Sequence, residues 1–108
     1  MEARAKNKVI SAEQAIALVK DGDVICTTGF VQSCIPEALH AALEKRYVET
    51  KAPKGCTLIM CAGAGDSKGL GTGRLHHEGL LSRVIAANFG RMPKVAQAAQ
   101  ENKITGYN

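Results

Sequence analysis

Asp21-Gly22-Asp23-Val24-Ile25-Cys26-Thr27-Thr28-Gly29-Phe30 sets a short, β-rich apolar run between an Asp-Gly turn and a glycine. The pattern returns at Thr57-Leu58-Ile59-Met60-Cys61, followed by Gly63, and at Val84-Ile85-Ala86-Ala87, followed by Gly90. Between these runs the periodicity is helical. Ahead of the first, Ser11 and Gln14 have capping-box spacing, in which the Ser oxygen accepts the N3 amide and the Gln reaches back. Ala12, Ala15, Ile16 and Val19 then fall on one stripe, and Gly22 suits a left-handed helix end. Pro36 suits the first position of a second helix, where its missing N–H costs nothing. Glu37 favours that helix's dipole, and Leu39, Ala42 and Leu43 form its apolar face. A short helix over 76–81 precedes the third run, Pro93 starts a helix through Gln100, and 104–107 begins a fourth strand.

Strand, helix and strand in repeated order imply parallel pairing through right-handed crossovers. The expected fold is α/β: an open, mostly parallel, Rossmann-like sheet with flanking helices. A parallel sheet is covered on both faces, yet no helix follows the fourth strand. The sheet therefore reads as incomplete, residues 1–108 as one N-terminal portion of a larger domain, and 1–8 as a flexible polar tail.

With 108 residues, 45% hydrophobic and 22% charged, the composition is that of one small globular unit. The net charge of +4 comes from 14 Lys and Arg scattered along the chain. Phe30, Tyr47, Phe89 and Tyr107 are too few to make a base-stacking platform, so nucleic acid is not an expected partner. No apolar run approaches the roughly 20 residues of a membrane span, and the start lacks the apolar core of a secretory signal. A cytoplasmic location without a membrane partner is expected. Cys26, Cys34, Cys56 and Cys61 lack the close C-x2-C pairs that zinc favours. They read as reduced, unpaired and metal-free thiols, with Cys26 and Cys61 filling the core.

Ligands of an open parallel sheet bind beyond the carboxyl ends of its strands. Three loops leave those ends: 29–33, the glycine-rich 62–73, and 88–90. The candidate ligand-binding residues are Gly29, Phe30, Val31, Gly63, Gly65, Asp66, Gly69 and Gly71, where backbone amides can approach a ligand closely. Lys68 stands where a dinucleotide fingerprint needs its third glycine, and no Gly-Lys-Ser/Thr triplet makes a P-loop. His76-His77-Glu78 has the residue types of a metal or acid–base cluster. On a continuous helix, however, neighbouring side chains point about 100° apart, so His76 and His77 would not readily share an ion. No metal ligand is assigned.

The run DGDVICTTGFVQSCIPEAL, Asp21 to Leu39, resembles the first signature of family I CoA-transferases: Asp-Gly, an apolar strand, Gly-Gly-Phe, then Gly-x-Pro. Asp21, Gly22, Gly29, Phe30 and Pro36 match it. Gly65-Asp66, Lys68-Gly69, Gly71 and His77-Glu78-Gly79-Leu80 resemble the family's glycine loop and its His-Glu-Gly-Leu segment. Glu101-Asn102-Lys103-Ile104, with Tyr107-Asn108, resembles the same region of propionate CoA-transferases. The likeness runs from Val9 onward. Departures are Thr28 and Cys34 at glycine positions, Ala64 at a Gln, Leu70 at an Arg, Arg74 at a His, and Phe89 at a frequent Trp.

The resemblance implies transfer of CoA between short-chain carboxylates, with the CoA thioester as substrate and no covalently held cofactor. In such enzymes a glutamate attacks an acyl-CoA, forms a mixed anhydride and becomes a glutamyl-CoA thioester, which is nucleophilic catalysis by a carboxylate. The family's nucleophile sits in a Glu-x-Gly type segment. Glu2, Glu13, Glu37, Glu44, Glu49, Glu78 and Glu101 do not occupy one, so no catalytic residue is assigned. Of these only Glu78 is expected near the crevice, orienting the glycine loop. The expected partners are an acyl-CoA, a carboxylate, the remainder of the enzyme as the same chain or a second subunit, and further copies in a homo-oligomer. The alternatives are a stand-alone nucleotide- or acyl-binding module and an inactive truncated relic.

Overall fold

Four strands, β1 (Val24–Cys26), β2 (Cys56–Ile59), β3 (Leu81–Ile85) and β4 (Thr105–Tyr107), pair in chain order and all in parallel. The computed structural model describes residues 7–108. The expected tail over 1–8 thus lies largely outside the described residues, and its Asn7 and Lys8 are exposed. The α/β, open parallel architecture is as the sequence predicts. A monotonic strand order joined by right-handed crossovers puts every connection on one face of the sheet.

Burial follows that geometry. Leu58 and Val84, on the covered side, are fully buried with Leu43, Tyr47, Leu80 and Val95. The alternate positions form two cross-sheet rows, Val24-Thr57-Arg83-Thr105 and Cys26-Ile59-Ile85-Tyr107. All eight are half-buried or exposed, so that face is open.

Helix α1 (Ala12–Ile16) carries the full capping box, with Gln14 N donating to Ser11 Oγ at 3.0 Å and Ser11 N to Gln14 Oε1 at 2.9 Å. It ends at Ala17, earlier than the apolar stripe suggests, because looser i→i+3 bonds take over at Leu18 and Val19. Gly22 does have a positive φ, but it serves the turn into β1, where its N–H reaches Lys54 O, and not the helix end. Arg46 Nη1 donates to Ile16 O and Val19 O, each at 2.7 Å, and so ties α1's open carboxyl end to the next helix.

That helix, α2 (Glu37–Thr50), begins one residue after Pro36, which is its N-cap. Its buried face is His40, Ala42, Leu43 and Tyr47, turned from the expected stripe so that Leu39 is partly exposed. The expected helix over 76–81 is absent. A 3-10 segment occupies Gly71–His76 instead, and β3 starts at Leu81 rather than Val84. Helix α3 (Pro93–Gln100) lies as predicted. The thiols are free, but core filling holds for Cys56 alone; Cys26, Cys34 and Cys61 are exposed. Cys26 points to the open face of an edge strand, and Cys61 lies past the end of β2.

Candidate functional site

The loops after β1 and β2 meet. Gly65 N donates to Val31 O at 2.6 Å, and a Cβ built on Gly29 would stand 2.8 Å from the Ala64 Cβ. Between them lies a cavity of about 170 Å³ lined by Gln32, Ile35, Glu37, Gly65, Asp66, Leu70 and Gly71. Of the eight predicted site residues, Gly65, Asp66 and Gly71 line it. Gly29 and Val31 stand behind in its wall, and Phe30 projects into solvent at 74% exposure. Gly63 is buried under Met92, and Gly69 sits on the outer turn of the loop.

The loop following β1 is a tight two-residue turn. Phe30 N donates to Ser33 O at 2.9 Å and Ser33 N to Phe30 O at 2.8 Å. Val31 takes a φ of 57° there, a left-handed conformation that β-branched residues rarely adopt.

The glycine loop is held by two carboxylates. Asp66 Oδ1 accepts from Lys68, Gly69 and Leu70 N–H groups at 2.8, 3.0 and 3.0 Å. The Leu70 and Lys68 amides, foremost, hold its carboxyl below the ordinary range. Glu37 Oε1 accepts Gly71 N at 3.0 Å. Gly71 has a φ of 68°, and a Cβ on it would collide with the Ala64 carbonyl oxygen, so only glycine fits where the two limbs of the loop cross. Thr72 completes the crossing, donating Oγ1 to Ala64 O at 2.9 Å while fully buried.

Glu37 is also the first member of a chain of charges. Arg74 Nε lies 3.2 Å from Glu37 Oε2, an ion pair without an aligned hydrogen bond. Arg74 Nη1 donates to Glu44 Oε1 at 2.9 Å, and His77 Nε2 lies 2.8 Å from Glu44 Oε2. Burial alone would raise the Glu44 carboxyl, but the hydrogen bonds from His77 and Arg74 outweigh it and hold the group below the ordinary value. Tyr47 Oη donates to Glu78 O at 2.6 Å, fixing the backbone beside His77.

Two expectations are corrected here. Glu78 is not near the crevice: its carboxylate faces solvent and pairs with Lys103 at 3.3 Å, and it lines a different cavity. Among the described residues, the glutamate at the crevice is Glu37. In the sequence Glu37 reads as a first-turn residue because its partners lie 34 and 37 positions away, beyond any local pattern. His76 and His77 do not diverge. The 3-10 segment stops at His76, His77 turns to φ −60° and ψ 131°, and the rings stack with centroids 4.2 Å apart. An argument from a continuous helix fails where the helix ends between the two residues.

Residues 9–107 match the family profile described as coenzyme A transferase. Acetate CoA-transferase YdiF of Escherichia coli (strain K12) is 30% identical over 101 residues, 93% of this chain and 19% of that protein. Caffeate CoA-transferase of Acetobacterium woodii is 32% identical over 83 residues, 77% of this chain and 16% of that one. The crystal structure of the acyl-CoA transferase YdiF apoenzyme from Escherichia coli O157:H7 superposes with a TM-score of 0.89 at 30% identity, covering 93% of this chain and 20% of that chain. The same enzyme's thioester complex with CoA gives 0.86, covering 92% and 20%. The chain thus spans about a fifth of the length of these relatives. Profile, identity and backbone agree, and the chain belongs to the coenzyme A transferase family.

Proposed function

We propose that this chain forms the glycine-loop wall of a CoA-transferase site and that the nucleophilic glutamate comes from outside these 108 residues. The carrying observation is the junction of the loops after β1 and β2 over a cavity of about 170 Å³. That is well below the roughly 300–1,000 Å³ of a pocket for a drug-sized ligand. It accommodates a short acyl or carboxylate group, and the bulk of coenzyme A has to lie along the exposed rim formed by Phe30, Leu70 and Gly69. In this reading Gly29, Val31, Gly65, Asp66 and Gly71 shape the acyl end, and Gly63 packs behind them against Met92. A relative crystallised as a thioester with CoA supports the chemistry.

The reaction has two half-steps. A carboxylate oxygen attacks the thioester carbonyl and expels the CoA thiolate, leaving a mixed anhydride. The thiolate then attacks the enzyme's acyl carbon, forming the glutamyl thioester and releasing the carboxylate product; the acceptor acid reverses the sequence. Such a nucleophile must be unencumbered and aimed at the carbonyl. Glu37, the one glutamate lining the crevice among the described residues, is already committed to Gly71 N–H and Arg74. It acts as a positioning residue for the loop.

The test is exchange of labelled acetate into propionyl-CoA, with borohydride added to reduce any glutamyl thioester. The 108-residue chain alone should give no exchange and no reduced glutamate. Exchange that disappears in Glu37→Ala or Glu78→Ala would place the nucleophile here and overturn the reading. Exchange restored by adding a polypeptide with the remaining family motifs would support it.

A further inference from the structure

We propose that Glu44, His76 and His77 form a site for one divalent transition-metal ion of the zinc type, independently of the CoA-transfer reading. Each residue offers one ligand atom, and the three atoms lie within 4.8 Å of one another. All three side chains are half-buried, so the site is walled but open on one side. Tetrahedral zinc, with bonds of about 2.0–2.1 Å, needs ligand atoms roughly 3.3 Å apart. The widest separation must therefore close by at most about 1.5 Å, within the reach of ring rotation at the two histidines.

Room for that rotation exists. His76 and His77 line a cavity of about 230 Å³ beside α3 and the start of β3. The cavity supplies an entry path and space for water in the remaining coordination position. Glu44 comes from the other side, on α2. The His77 Nε2 to Glu44 Oε2 contact at 2.8 Å marks the place where an ion replaces a shared proton.

The neighbouring charges permit a cation. Arg74 lies closest, but it also pairs with Glu37, so Glu37 and Arg74 balance and Glu44 retains its negative charge for the ion. Arg74 Nη1 binds Glu44 Oε1 and leaves Oε2, which faces His77 Nε2, to ligate, the arrangement of an outer-shell partner that orients a carboxylate. Of the two lysines lining the cavity, Lys103 is paired with Glu78 and Glu101, and Lys94 stands across the space from His76. Two imidazoles and one carboxylate select zinc, cobalt or nickel over magnesium or calcium, which take oxygen ligands.

The test is zinc(II) titration of the 108-residue chain against a chromophoric chelator, with cobalt(II) absorption as a second readout. One equivalent should bind, without a thiolate-to-cobalt charge-transfer band. His76→Gln and His77→Gln should each weaken binding by at least about tenfold, and the double variant should lose it. Zinc should also raise the Tm of the wild type but not of His76→Gln. That variant changes the one residue of the three outside the Arg74 network, and its far-UV circular dichroism checks its folding. A chain that binds no zinc at micromolar concentration, unchanged affinity in the double variant, or a thiolate band placing the ion on the cysteines would each overturn the proposal.

Discussion

Cys34 stands at a φ of 57°, exposed, in the turn that leads from β1 into α2. A residue with a Cβ pays about 1–2 kcal/mol to enter that region, and the family signature that Asp21–Leu39 resembles has glycine there. Glycine removes this cost but gives up about 0.5–1 kcal/mol of chain entropy. Because Cys34 contributes its carbonyl and not its side chain to the Thr28 hydrogen bond, Cys34→Gly should stabilise the protein by about 0.5–1 kcal/mol, raising Tm by about 4 °C in calorimetry. His40 makes a second prediction. It is 4% exposed, its Nε2 is 2.9 Å from Thr27 Oγ1, and its Nδ1 is buried without a partner among the described residues. Burial, above all, pushes its pKa below the ordinary value, and Arg74 adds to this while Glu37 opposes it. The folded protein therefore keeps His40 neutral where the unfolded chain, with a value of about 6.5, already binds a proton. Its stabilising contribution is complete above that value and falls as the pH drops below it. His40→Leu should cost about 1–2 kcal/mol at pH 8 by stranding the Thr27 hydroxyl. The gap between wild type and variant in urea denaturation should shrink by pH 5.5. A gap that stays constant would mean that His40 is charged when folded.

At the scale of elements, the sequence announces what local chemistry decides and conceals what distant partners decide. The capping box at Ser11, the apolar runs of β1 and β2 and the proline-led α3 are legible because each is set by residues within four positions. The glycines after β1 and β2 likewise mark where the two loops meet, since close crossing of two limbs needs residues without a Cβ. The start of β3 is hidden: Leu80 and Leu81 follow His77-Glu78-Gly79, which reads as a helix, and the strand is imposed by pairing with β2. The 3-10 segment is hidden too, because Gly71 and Gly73 have poor helix propensity. It forms because Glu37, Ala64 and Glu44 anchor it from outside, through Gly71, Thr72 and Arg74. The loop before it depends on Asp66 in the same way. In Asp66→Ala the Lys68, Gly69 and Leu70 amides lose their acceptor. Their hydrogen exchange should speed up by about tenfold or more, while amides of β2 and β3 keep wild-type protection. Equal acceleration in the strands would show that Asp66 supports the whole fold and not the loop alone.

At the scale of the molecule, the sheet is covered on one side only. All crossovers lie on one face, which buries Leu58, Val84 and Val95, and the other presents Val24, Cys26, Ile59, Ile85 and Tyr107. Parallel sheets with a bare face are rare because their strands are apolar on both sides, and an apolar patch of this kind associates. The chain spans about a fifth of its relatives, so in a longer protein this face would be the one against which further layers pack. Alone, the chain should self-associate in a concentration-dependent way and bind a hydrophobic dye. Val24 is 62% and Tyr107 51% exposed, at opposite edges of that face. The double variant Val24→Lys with Tyr107→Lys should therefore leave Tm within about 2 °C, the cost of such surface changes being about 0.5 kcal/mol. It should shift sedimentation towards monomer and cut dye fluorescence by about half or more, since charges on both edges oppose stacking of two such faces. The same changes on the covered side's exposed helix surface, as in Val48→Lys, should do neither. Self-association that survives the sheet-face pair but vanishes with Val48→Lys would assign the contact to α2 and leave the bare face without a role in assembly.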